Sequence, residues 1–189
     1  MFLSLLEAPE EANRAFDEAI NLAAGESIGY VAAAHKNLFS GDVAEALRAA
    51  REGVRKGKPD FLLLTFLGEA LIRTGVVPGD PGFAEARGAL EQALAQRPSY
   101  SPALIALAKL DLLERRWSDA IARLETARQL EPRNPTVYSN LAQAYRLSGD
   151  LQRAQQILAI LAQINQEQVE RIRSAPGERK AGYGRAAHP

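Results

Sequence analysis

Apolar and small residues recur along this chain on two superposed periods. Over short stretches they fall at helical spacing: Tyr138, Leu141, Ala142 and Tyr145 mark one amphipathic segment, and Ala154 and Leu158 mark the next. Over longer stretches the small residues keep a slower beat. Ala12, Ala46, Ala86, Ala120 and Ala154 are spaced by 34, 40, 34 and 34 residues, and Ala34, Gly68, Ala108 and Ala142 by 34, 40 and 34. A fixed period of this length is the signature of stacked helix–turn–helix units. Small side chains recur because two helices must approach closely there, once per unit. The pattern predicts an all-α chain of four full units at 27–60, 61–100, 101–134 and 135–168. A partial repeat or cap over 1–26 precedes them, and 169–173 ends a capping helix before a disordered tail at 174–189.

Turn chemistry supports the division. Gly149-Asp150 and Gly41-Asp42 each place a glycine where one helix ends and an aspartate where the next begins. The third unit puts Trp117 at this turn and Asp111 on its first helix, at a position that is Tyr145 in the fourth unit. The second unit carries six extra residues within Thr74–Gly82, read as an extended inter-helix turn bounded by Pro78 and Pro81. A bulky side chain at Gly68 or Ala142 is expected to force the paired helices apart, costing about 1–3 kcal/mol.

With residues in this register, the chain resembles the tetratricopeptide repeat. Its pattern is large–Leu–small–Tyr on the first helix and Ala–aromatic–Ala–Pro on the second. The fourth unit carries it at Tyr138, Leu141, Ala142, Tyr145 and Ala154, and the third at Leu104, Leu107, Ala108, Ala120, Ala127 and Pro132. The second follows at Leu64, Leu67, Gly68, Leu71, Ala86, Ala93 and Pro98, and the first more loosely at Tyr30, Ala34 and Ala46. Single matches are weak, but a register shared by four units is strong. The resemblance implies a right-handed superhelical solenoid of antiparallel helix pairs. It also implies a concave groove lined by positions 2, 5, 9, 12 and 13 of each first helix. The groove candidates are Val31, His35, Phe39, Leu62, Thr65, Glu69, Ile105, Lys109, Ser139 and Gln143, grading from apolar in the first unit to polar in the last. The implied function is a non-enzymatic adaptor that binds a protein or peptide partner. Its occupant is an apolar or amphipathic segment, unless the chain's own N-terminal segment fills part of the groove. Some relatives grip C-terminal carboxylates through Lys, Asn and Arg on successive first helices. Here those positions hold Val31, His35, Phe66, Pro102 and Ala106, so no carboxylate clamp is expected.

The ends carry their own signals. Ala12, Phe16 and Ala19 match a second helix, with Pro9 suited to its first turn. Met1–Ala8 then hold only the last turns of a first helix, and two readings stay open: a natural cap, or a frame that begins upstream, with an export signal there. Gln166 stands where Pro98 and Pro132 close their units, so the last helix should run on to about Arg173, with Ile157, Leu161, Ile164 and Ile172 as its stripe.

Composition narrows the function classes. Ala and Leu dominate the 47% hydrophobic content while aromatics are only 6%, which favours helix. Lys+Arg and Asp+Glu balance at 23 each, so no global field points to nucleic acid or membrane. Arg48, Arg51, Arg55 and Lys56 cluster on one helix, but without aromatic stacking partners they read as a solvated face. There is no cysteine, which removes thiolate chemistry and disulfides. His35 and His188 are the only histidines, and neither has nearby acids in metal-site or triad spacing. No cofactor, metal or catalytic residue is expected. No apolar run approaches the ~20 residues of a membrane helix, and a cytoplasmic location is the default. The alternatives to partner binding are self-association through the groove or the open N-terminal edge, and a role as the recruiting portion of a longer, exported protein or enzyme.

Overall fold

The computed structural model describes residues 9–23, 26–57 and 59–174, and among them every regular element is a helix. In chain order these are α1 (Pro9–Leu22), α2 (Ser27–Ser40), α3 (Val43–Lys56), α4 (Phe61–Arg73) and α5 (Pro81–Gln96). They continue as α6 (Ser101–Leu113), α7 (Trp117–Leu130), α8 (Pro135–Leu147) and α9 (Leu151–Ser174). Each helix packs on its chain neighbours, and α2, α4, α6 and α8 also touch one another in succession. The result is a line of antiparallel pairs, α2/α3, α4/α5, α6/α7 and α8/α9, with α1 against the first.

Local sequence sets the helix ends. The Asp42 carboxylate accepts from the Glu45 N–H (3.1 Å), and Asp60 accepts from the Leu63 N–H (2.8 Å). These side chains satisfy amides that the first turn leaves unpaired. Proline opens α5, α6 and α8 within the first two positions, where it sacrifices no helical hydrogen bond. The turns within pairs need a left-handed residue, supplied by Gly41 (φ 85°), Gly75 (φ 82°) and Gly149 (φ 88°). In the third pair Arg115 adopts it instead, at φ 60°. The long turn of the second pair is ordered: the Asp80 carboxylate accepts from the Val77 N–H (3.0 Å), and Val76 packs on the core.

The core forms two main clusters that meet at α6, which is buried on nearly every side. Gly68 shows why the small residues recur. A Cβ there would lie 2.5 Å from Leu90 Cγ, well inside contact distance. Asp111, the departure in the third unit, is fully buried between three helices. Arg87 of α5 donates to it at 3.0 Å and Arg123 of α7 at 2.8 Å, while Arg87 also reaches Glu114 at 2.7 Å. An ion-paired carboxylate thus stands where the second and fourth units place Leu71 and Tyr145.

The last helix runs 24 residues, with Ile157 and Ile164 buried. The expected stripe does not continue to Ile172, which is 69% exposed because the repeat stack has ended by that turn. The apolar residues Phe2, Leu3, Leu5 and Leu6, the Ala12 side chain and the tail from residue 175 lie outside the described residues.

Candidate functional site: the face of the first helices

The ten groove candidates divide by burial. Val31 (7% exposed), Thr65 (1%) and Ile105 (7%) are buried, and this corrects the expectation that they line open surface. They occupy position 5 of their helices. Consecutive first helices touch, so a position-5 side chain falls into the seam between neighbours. Thr65 donates its hydroxyl to the Phe61 carbonyl at 2.7 Å, which satisfies it internally. Ser139, at the same position in α8, is exposed because no described first helix follows it.

His35 is half-buried between two aromatic rings. Phe16 of α1 meets it edge-on at 5.0 Å, and Phe66 of α4 stacks on it at 5.1 Å. Burial lowers the imidazole pKa below its ordinary 6.5, as expected when the charged form loses water. The arrangement makes His35 a packing residue linking α1, α2 and α4. Its two partners were legible as apolar positions, but their convergence on one imidazole was not.

The middle of the face is polar. Glu69 of α4 is half-buried, and burial raises its carboxyl pKa, opposed by the positive charges of Arg73 and Lys109. Lys109 is itself half-buried, and Gln143 continues the row exposed on α8. Apolar exposure sits elsewhere than in the first unit alone. Position 13 carries Phe39 (47% exposed), Leu113 (47%) and Leu147 (42%), so three of the four units present an apolar side chain at the same register. In the second unit that position is Arg73, whose guanidinium turns back and donates to the Leu38 carbonyl at 2.6 Å. Leu62, at position 2, is half-buried.

A second feature was not visible in the sequence. A crevice of about 900 Å³ opens between α1, α2 and α3 on the opposite side, with Ile20, Tyr30, Ala33 and Leu47 among its walls. The available signal was substitution within the register. Ala33 and Asn37 stand where the second unit places Leu67 and Leu71, and these smaller side chains leave the space between the helices unfilled. The basic residues along its rim are paired. Arg51 grips Glu85 with two hydrogen bonds (2.9 and 2.6 Å), Arg55 grips Glu52 with two (3.0 and 2.7 Å), and Arg48 pairs with Glu45. With these charges matched, the cluster offers little to phosphates. Among the described residues no three His, Asp or Glu side chains converge as metal ligands would, and no helix is long and apolar enough to cross a membrane.

Fold and face together define a helical-repeat solenoid whose first helices form one continuous, mixed polar and apolar surface. The sequence profile of the tetratricopeptide repeat matches residues 83–126 and 111–175, and the chain belongs to that family. Solved structures agree on the fold. A MamA structure from Desulfovibrio magneticus RS-1 is 17% identical with a TM-score of 0.65, the match covering 88% of this chain and 92% of that one. YrrB, described as a repeat protein of this family with an unusual peptide-binding site, is 18% identical with a TM-score of 0.63, over 91% of this chain and 87% of that one. The first repeat domain of Spaghetti (RPAP3), bound to the HSP90 peptide SRMEEVD, is 19% identical with a TM-score of 0.57, over 66% and 94%. A search of curated proteins returns no match.

Proposed function

We propose that this chain is a non-enzymatic interaction scaffold that binds an amphipathic segment of a partner protein along α2, α4, α6 and α8. The observation that carries the reading is the register of exposed side chains. Apolar Phe39, Leu113 and Leu147 share position 13, and the polar row Glu69, Lys109 and Gln143 shares position 9. A helix or extended segment with one apolar and one polar edge matches both rows at once. The peptide sites that YrrB and RPAP3 carry on the same fold support a peptide as occupant. The acidic HSP90 peptide SRMEEVD bound by RPAP3 is not the model ligand. The positions a carboxylate clamp needs hold Val31, His35, Phe66, Pro102 and Ala106, none of them Lys or Arg.

The test uses surface positions only, since charging Val31 or Ile105 would damage the core. Affinity capture from source-cell lysate is compared between the parent and a Phe39→Glu, Leu113→Glu double variant with unchanged far-UV circular dichroism. A protein retained by the parent and lost from the variant supports the face as the binding surface. Retention by both removes that face from the account.

A further inference from the structure

The outer side of α9 is an uncapped repeat edge. In the two preceding pairs the leucine at the equivalent place on the second helix, Leu90 or Leu124, is 0% exposed, enclosed between its own first helix and the next. On α9 that residue is Leu158, 51% exposed, because no described helix follows α9 to cover it. Val169 (49%) and Ile172 (69%) extend the uncovered strip toward the helix C-terminus, with Leu161 half-buried at its margin. Ile157 and Ile164, which face into the stack, lie about a quarter turn round the helix from the strip, so the strip flanks the packed ridge of α9. Residues 175–189 contain no Leu, Ile, Val, Phe or Met.

The spacing of the strip identifies what covers it. Counted from the exposed Asn165, apolar side chains lie at −7 (Leu158), −4 (Leu161), +4 (Val169) and +7 (Ile172). Residues four and seven apart share a helix face, so between Leu158 and Ile172 this face reads the same in both directions from Asn165. A two-fold interface demands that property: residue i meets j while j meets i. We propose that the partner of this strip is α9 of a second copy, packed antiparallel about an axis through Asn165. Leu158 then meets the second copy's Ile172, Leu161 meets its Val169, and the two Asn165 amides face each other as a polar pair that fixes register. Charges permit the pairing. Glu167, Glu170 and Arg171 fall opposite Gln163, Ile160 and Ala159, so no like charges are juxtaposed. The strip and its polar margins bury on the order of 1,000 Å² in total, at the lower bound of a specific interface and so of the size of a weak, concentration-dependent association.

Sedimentation equilibrium over 1–200 µM, at order-of-magnitude spacing, tests the proposal on the full chain. The parent should be a concentration-dependent dimer. Asn165→Glu, which sets two carboxylates on the axis without touching the core, should weaken dimerisation at least ~10-fold, about 1.4 kcal/mol, with unchanged circular dichroism. A chain that stays monomeric throughout, or a dimer indifferent to Asn165→Glu, overturns the proposal. Orientation is read by disulfide trapping, since the chain has no native cysteine. Asn165→Cys should form a covalent dimer on mild oxidation. Ile172→Cys alone should not, because its two copies would lie about 21 Å apart along the helices. A mixture of Leu158→Cys and Ile172→Cys chains should cross-link to each other. Efficient trapping of Ile172→Cys with itself would mean a parallel pair and refute the antiparallel assignment.

Discussion

Replacing Asp111 with asparagine isolates the one ionisable side chain fully buried among the described residues. The Asp111 side chain is 0% exposed, and that of Arg87 is 15% exposed. Removing one partner of a buried ion pair typically costs about 3–5 kcal/mol, because the other charge stays desolvated and unmatched. Two features of this site reduce the loss. Arg87 keeps Glu114 at 2.7 Å, and Arg123, 30% exposed, can turn toward water. The expected cost of Asp111→Asn is therefore about 2–3 kcal/mol, from the same mutational range discounted for the surviving partners. For a chain of this size that lowers Tm by about 4–12 °C. Thermal unfolding followed by circular dichroism at 222 nm, with a urea titration for the free energy, reads both quantities at ordinary wavelength settings for helix. The companion variant Arg87→Met, Asp111→Leu removes both charges and leaves apolar volume, which is often neutral in such sites. It should recover most of the loss. If Asp111→Asn melts within about 2 °C of the parent, under 1 kcal/mol by the same scaling, the buried pair is not what joins α5, α6 and α7. A double variant no better than Asp111→Asn would also contradict the reasoning.

Three further outcomes follow from single positions. Gly68→Val should lower stability by about 1–3 kcal/mol, since even its Cβ would meet Leu90 Cγ at 2.5 Å; an unchanged urea midpoint would show that the α4/α5 approach is looser than the geometry requires. Arg115→Gly should raise Tm by about 1–3 °C: relief of a left-handed side chain gives about 1–2 kcal/mol, and greater unfolded-state freedom returns part of it. Acidification should act on two groups in opposite senses. His35 has a lowered folded pKa, so its contribution is complete above its ordinary 6.5 and is lost as pH falls below it. Glu69 has a raised folded pKa, so its favourable state is the protonated one, present below its ordinary 4.5 and lost as pH rises through the folded value. Accordingly His35→Phe should flatten the fall in Tm between about pH 7 and pH 5. Glu69→Gln should raise Tm at neutral pH and have little effect near pH 4, a window set by the carboxyl range. Parallel Tm-against-pH curves for parent and variants would refute both assignments.

Much of the fold was legible because close approach between helices leaves a mark in single residues. Gly68, Ala108 and Ala142 must be small wherever they meet a second helix, and Gly41, Gly75 and Gly149 must accept a left-handed backbone. Such constraints act within a unit and survive as a period. The missed features arise between units. Val31 and Ile105 occupy the predicted groove positions, yet the neighbouring first helix closes over them, and no single-unit pattern encodes how near that neighbour lies. Asp111 broke the pattern visibly, but its compensation is spread over Arg87 and Arg123, 24 residues before and 12 after, where no period links them.

The same distinction governs what the ends of the stack can do. A leucine such as Leu90 or Leu124 is core only because another unit follows it, so an identical side chain becomes surface wherever the array stops. Solenoids ordinarily meet this with a terminal helix whose outer face is polar. Here α9 is polar on much of its circumference but leaves Leu158, Val169 and Ile172 exposed on one side, and with the half-buried Leu161 they are spaced symmetrically about Asn165. A two-fold pairing of α9 with a second copy requires that symmetry. Substitutions that make α9 a conventional polar cap, such as Leu158→Gln with Ile172→Lys, should therefore leave the melting of dilute monomer nearly unchanged, within about 0.5 kcal/mol. They should abolish the concentration dependence of Tm that a dimer must show. Equal concentration dependence in parent and variant would return Leu158 to the status of an ordinary exposed leucine.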